Sequence, residues 1–352
     1  MIDTDESMQM ILDDILAKHT DGMKITDLSL NEEARFMAKS KLANILLERV
    51  KSRVFSSLEA SRDIEREFEA AVLLTWRKPL DLMDLLLNIC REVSIDFSSE
   101  YGSGSSSKRA YVQRALAGLQ ANACLVFDEI VHLLKSGFPD AAHSCWRRLH
   151  ELSCMSYFIS KHGGDLAKRF LDYEAVELYF QEKTISEHQK NMEYVSLSKS
   201  DFEAVDRDFN AIKKLYGADF TKKSNYPYGW IPRKILKTRS LEEIEKSVGL
   251  DNFRPYYELA GYNVYGGKNG LNFKLGVKKN KRKNVVIPVG PRNYGLAEPG
   301  KSAAISLGQV TACLLLFESG VKRLIIVEAL RSLVDEICEA FNRIEAEFAA
   351  NC

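Results

Sequence analysis

An all-α fold, a multi-helix bundle carrying one small β-hairpin, follows from three observations on this 352-residue chain. Apolar residues recur at three- and four-residue intervals through most of the length, the period of a helix that buries one face. Gly, Pro and Ser runs interrupt that pattern at few places. Strict alternation, the mark of a half-buried strand, is confined to residues 271–289, where Leu271, Phe273, Leu275 and Val277 face Val285-Val286-Ile287 across a charged turn.

The elements follow in order. Met8, Ile11, Leu12 and Ile15 form a short amphipathic opening helix. Asn31 is placed to cap a long helix that opens with Glu32 and Glu33 and runs through Phe36, Leu42, Ile45, Leu46 and Val50 to Val54. A third pattern covers 63–76, and Pro79 opens a helix over 80–93. The segment GSGSSS at 102–107 is the clearest flexible joint and divides an N-terminal helical region, 1–101, from a helical core, 108–352. Helices over 108–135, 139–162 and 164–195 are separated by Gly137-Phe138-Pro139 and Gly163-Gly164. Ser200-x-x-Glu203 and Ser240-x-x-Glu243 are capping boxes for two more. Between them, Tyr226–Pro232 reads as an ordered aromatic loop, and helices near 301–318 and 321–348 close the chain.

Composition excludes several classes. Lys+Arg and Asp+Glu balance at 49 each, so there is no global field to attract nucleic acid or an anionic membrane. No apolar run reaches membrane-spanning length, and the acidic start MIDTDESMQM lacks the features of a signal peptide. The seven cysteines are scattered and form no C-x-x-C pair, which argues against a disulfide framework or a zinc knuckle and for a reduced, cytoplasmic setting. No P-loop, dinucleotide fingerprint or G-x-S-x-G elbow occurs, and no cofactor or metal is expected.

The chemistry-bearing residues concentrate on helix 139–162. At about 100° per residue, His143, Arg147, His150 and Cys154 project within roughly 60° of one another, with Glu151 on the flank. Apolar residues occupy the other faces, so most of this helix is expected to be buried. Arg147 is suited to holding a phosphate, His150 or His143 to moving a proton, and Glu151 to orienting one of them, which makes a metal-independent ribonuclease-like site one reading. A buried Arg147–Glu151 pair that fixes helix register is the other. Metal binding through His143, His150 and Cys154 is the least favoured reading, because the seven-residue interval between the histidines is too long for the i, i+4 chelate of helical zinc motifs. Two further groups stand out. Lys278, Lys279, Lys281, Arg282 and Lys283 at the hairpin tip are suited to a phosphate backbone or to a solvated turn. Tyr257, Asn263, Tyr265 and Arg292 either converge on a pocket or serve helix packing around Gly261.

The WRRLHE helix, the segment Tyr257–Gly267 and the GPRNYGL turn with Glu298-Pro299 together resemble an uncharacterised bacterial helical family of unknown function, over about Lys108 to Phe341. The resemblance implies a central helix with Arg and Glu four apart, here Arg147 and Glu151, and a setting among phage-defence and stress genes. Where that family has Val-His, this chain has Val264-Tyr265. The Arg–His spacing of HEPN-type helical ribonucleases is absent; the nearest pair is Arg147 with His150. The expected function is a defence or stress effector that acts on or binds nucleic acid. The alternatives are a non-enzymatic regulatory or homo-oligomeric protein assembled through its N-terminal helices, and a small-molecule sensor using Tyr226–Trp230 and Tyr257–Tyr265.

Overall fold

A computed structural model describes residues 8–19, 32–100, 107–188, 198–265, 267–272, 275, 290–318 and 320–350. Among them every long element is a helix, and no strand occurs. Of the expected hairpin, Leu271 and Asn272 lie at the end of a short helix, Lys268–Asn272, rather than in a strand. Its remaining residues, apart from Leu275, fall outside the described set. None of the described helices is long and apolar enough to cross a membrane.

The chain divides into two compact units, at Met1–Ala71 and Val72–Cys352. The first contains α1 (Met8–His19) and most of α2 (Glu32–Thr75). Within it, Asp14 accepts from Arg49 at 2.6 Å and from Lys18 one turn along. Helix α2 is continuous where the periodicity predicted two helices. Residues 55–62, FSSLEASR, contain neither Gly nor Pro, so nothing terminates the first pattern before the second begins.

The second unit is built around α4 (Lys108–Lys135), α5 (Pro139–His162) and α12 (Ala297–Leu315), which pack on one another. Helices α3 (Arg77–Glu100) and α13 (Val321–Ala350) pack against each other and against α12. Ser107 caps α4 by accepting from Ala110 N at 3.2 Å. Pro139 begins α5, and Gly163, at φ 76°, ends it; that left-handed conformation suits glycine because no Cβ is present to clash. Trp146 donates through Nε1 to Ser306 Oγ at 3.0 Å, and Ser153 donates to Gln309 at 2.8 Å, tying α5 to α12. The Trp76 ring lies 5.8 and 5.7 Å from the Phe341 and Phe348 rings and donates to Asn293 at 2.9 Å.

A fully buried carboxamide joins three helices. Gln120 Nε2 on α4 donates to the Cys90 carbonyl on α3 at 2.9 Å and lies 3.5 Å from Thr311 Oγ1 on α12. Thr311 in turn reaches Cys90 Sγ at 3.3 Å.

The helix expected over 164–195 is divided into α6 (Gly164–Asp172) and α7 (Glu174–His188), and its last part, 189–195, lies outside the described residues. Tyr173 sits at the break, its ring buried and 5.2 Å from Phe220, so tertiary packing overrides a locally helical sequence. Helix α8 (Lys199–Tyr216) is capped by Ser198, which accepts from Asp201 N, and not by Ser200. Ser198-x-x-Asp201 offers the same capping chemistry two residues earlier. Helix α9 (Leu241–Val248) starts at Ser240 as predicted, with Glu243 N donating to Ser240 Oγ at 3.3 Å. A 3₁₀ turn at Asp251–Phe253 then leads into α10 (Arg254–Gly261), and α11 is the Lys268–Asn272 helix.

Candidate functional site

Three elements deliver the polar side chains. Helix α5 is buried on most faces and supplies His143, Arg147, His150, Glu151 and Cys154. Helix α9 places Leu241 and Ile244 against the core and Glu245 beside them, also fully buried. Gly249, at φ 74°, reverses the chain after α9, so that α10 returns to α5 with Arg254 and Tyr257.

His150 is the centre of the buried cluster. Its Nε2 lies 2.9 Å from Glu245 Oε1 and 3.5 Å from Cys154 Sγ. Among the described residues Nδ1 has no hydrogen-bonding partner. Trp146, Phe253 and Tyr257 surround the ring at 5.3, 5.6 and 5.8 Å. The other Glu245 oxygen is in ion-pair contact with Arg254. Burial, with Glu245 and Glu151 nearby, holds the Cys154 thiol far above its ordinary range. A Cys–His–carboxylate relay uses opposite nitrogens of the imidazole. Here the thiol and the carboxylate both approach Nε2, so the arrangement is convergent rather than a relay.

Tyr257 organises the outer part. Its hydroxyl donates to Glu151 Oε1 at 2.5 Å, while the Arg147 and Arg254 guanidinium carbons lie 4.2 and 4.9 Å from its ring centroid. Arg147 also lies 5.6 Å from the Tyr265 ring, and its Nη1 packs against Gly261, where a Cβ would sit 3.1 Å away. Arg147 and Glu151 therefore meet through one tyrosine and not as a direct ion pair. Burial pushes the Tyr257 phenol up to about 12, and the bond to Glu151 adds to this.

His143 is fully buried, stacks on Trp146 at 5.5 Å and, among the described residues, has a hydrogen-bonding partner at neither nitrogen. Burial pushes it down to about 4, so it is neutral at physiological pH. Of the expected pocket residues, Tyr257 and Tyr265 come together on Arg147. Arg292 is engaged at the start of α5, where it pairs with Asp140 at 2.7 Å and its backbone N donates to the Gly137 carbonyl. Asn263 lies in the turn after α10, with its backbone N donating to Ala260. Lys278, Lys279, Lys281, Arg282 and Lys283 lie outside the described residues. Tyr226 borders a separate open cavity of about 840 Å³, lined also by Phe180, Gln181, Ile185 and Lys223.

Sequence reasoning did not single out Glu245 or Arg254. The signal for Glu245 was present, because Leu241, Ile244, Glu245 and Val248 follow i, i+3, i+4, i+7, which puts a carboxylate on a core-facing position. His150 and Cys154 are also four residues apart, the interval at which two helical side chains reach one point.

Residues 113–282 match the model of a family of unknown function, DUF5677. This stretch, somewhat under half of the chain, contains His150, Cys154, Glu245, Arg254 and Tyr257. No curated protein and no solved structure gives a match.

Proposed function

We propose that this protein is a non-enzymatic helical interaction or regulatory protein, in which the polar band on α5 is a structural network. The observation that carries this reading is a contrast in exposure. His143 and His150 are both 0% exposed, whereas Val321, Leu324 and Ile325 on α13 are 74%, 54% and 64% exposed. Proton transfer to an external phosphodiester would require the core to open. The exposed residues follow i, i+3, i+4 and form a one-turn apolar patch at the start of α13, a face on which a partner can dock. Light scattering across a concentration series tests this, with a second copy of the chain as the first partner examined. Association is expected for the natural chain and should be lost in Leu324→Glu/Ile325→Glu, which leaves the core intact. A monomer at every concentration, together with RNA cleavage that disappears in a folded His150→Ala variant, would overturn the reading.

A second reading, an effector of the bacterial defence or stress kind that binds nucleic acid, draws on the five positive charges within Lys278–Lys283. Binding through them should be sequence-independent and should weaken steeply with salt. Fluorescence anisotropy with a labelled RNA, before and after charge removal in this run, tests it.

A further inference from the structure

We infer that His150 Nε2, Cys154 Sγ and Glu245 Oε1 form a binding site for one divalent metal ion of the zinc type, tying α5 to α9. The three donor atoms lie within 4.8 Å of one another, and all three residues are buried. Their separations suit a small tetrahedral ion. Zinc bonds of about 2.0–2.3 Å to N, O and S place neighbouring donors roughly 3.3–3.6 Å apart. Nε2 lies 3.5 Å from Sγ, the spacing the ion needs, and 2.9 Å from Oε1, a few tenths of an ångström less. Sγ and Oε1 lie within 4.8 Å of each other, so side-chain movement that draws the three donors about one centre admits the ion.

The direction of approach favours a metal over a relay, because thiol and carboxylate aim at the same nitrogen. The mixed N, S, O set matches a borderline-soft ion and disfavours calcium or magnesium, which take oxygen donors. Arg254 holds the other Glu245 oxygen and so fixes the carboxylate with Oε1 toward His150, the kind of orienting contact that metal-binding carboxylates use. Charge balances as well. A divalent ion and Arg254 carry three positive charges, matched by the Cys154 thiolate, Glu245 and the nearby Glu151, while Arg147 lies beyond Tyr257 at the half-exposed edge. Binding releases the Cys154 thiol proton to solvent and leaves His150 neutral, with its hydrogen on Nδ1. At this depth the ion acts as a structural tie between two helices far apart in sequence, with a fourth position left to a non-protein ligand.

The test uses the full chain, stripped with chelator and then supplied with Zn²⁺ or Co²⁺ alone. One zinc per chain is expected after dialysis, and X-ray absorption should show one sulfur among otherwise N/O neighbours. The Co²⁺ form should show a sulfur-to-metal charge-transfer band that Cys154→Ser abolishes and Cys145→Ser keeps. Glu245→Gln should weaken zinc binding at least tenfold. No stoichiometric metal, or zinc with no sulfur or with two or more, overturns the site on the natural chain alone, whether or not the variants fold. A charge-transfer band that persists in Cys154→Ser overturns it too.

Discussion

Arg147 lies over the ring of Tyr257, 4.2 Å from its centroid, although Glu151 stands one helical turn away on the same face. A carboxylate at that spacing would ordinarily be its partner. The phenol separates the two charges and serves both, offering its face to the cation and its hydroxyl to the anion. The half-buried polar edge of α5 therefore depends on one residue contributed by α10.

Tyr257→Phe should separate these two contributions. It keeps the ring under Arg147 and Arg254 and removes the donor to Glu151, at a cost of about 1–2 kcal/mol. Tyr257→Ala removes both and should cost about 3–5 kcal/mol. Urea unfolding of the two variants measures the difference; equal losses would show that the ring contributes nothing beyond its hydroxyl.

In the chelator-stripped chain, removing Arg254 leaves the Glu245 carboxylate sealed without a cation. Arg254→Met should destabilise the second unit by about 3–5 kcal/mol, the usual cost of stranding a buried charge. Arg254→Met/Glu245→Leu should recover part of this, because two apolar groups then replace the pair. A double variant less stable than the single one would mean that Glu245 contributes mainly through His150.

His143 makes stability depend on pH. Its folded imidazole is pushed down to about 4 from the ordinary 6.5, so between these values the unfolded chain binds a proton that the folded chain does not. Stability should therefore fall as pH drops from about 6.5 toward 4, by roughly 3 kcal/mol over the window. His143→Phe should flatten this part of the profile and hold or raise stability at pH 7, since neither ring nitrogen has a partner to lose among the described residues. Denaturant titrations at several pH values on both proteins isolate the term; parallel profiles would rule it out.

Two glycines predict opposite signs. A Cβ on Gly300 would come within 2.3 Å of the Phe341 ring, so Gly300→Ala should cost about 1–3 kcal/mol. A Cβ on Gly118, inside α4, meets nothing within 4 Å, so Gly118→Ala should stabilise by about 0.5–1 kcal/mol through helix propensity. Thermal melts distinguish the two directions.

The helices were legible where local chemistry sets their ends. Gly137-Phe138-Pro139 and Gly163 bound α5 at the predicted residues, and Ser240 caps α9 as its sequence requires. Where packing decides, sequence alone misplaced the boundary: Tyr173 breaks a helix with no local breaker because its ring is buried beside Phe220. The same distinction holds at the candidate site. The α5 band was visible because its residues share one helical face, but Glu245 and Arg254 come from elements about a hundred residues away. Nothing local links Tyr257 to Glu151 or Glu245 to His150, so pairings across that distance emerge only in three dimensions.

Gln120 carries a consequence for how many ways this bundle can pack. Apolar helices slide past one another at little cost when total volume is conserved, and cores specified by size alone can settle into several arrangements. A shift of α4 by one turn would carry the carboxamide away from the Cys90 carbonyl and Thr311 and strand it in a dry interior. In the native packing Gln120 Oε1 has no hydrogen-bonding partner among the described residues, and a misaligned packing would strand Nε2 as well, so the added penalty falls on the misaligned packings. A single amide thus widens the energy gap between one alignment of α3, α4 and α12 and its near neighbours, trading little net stability for a unique ground state.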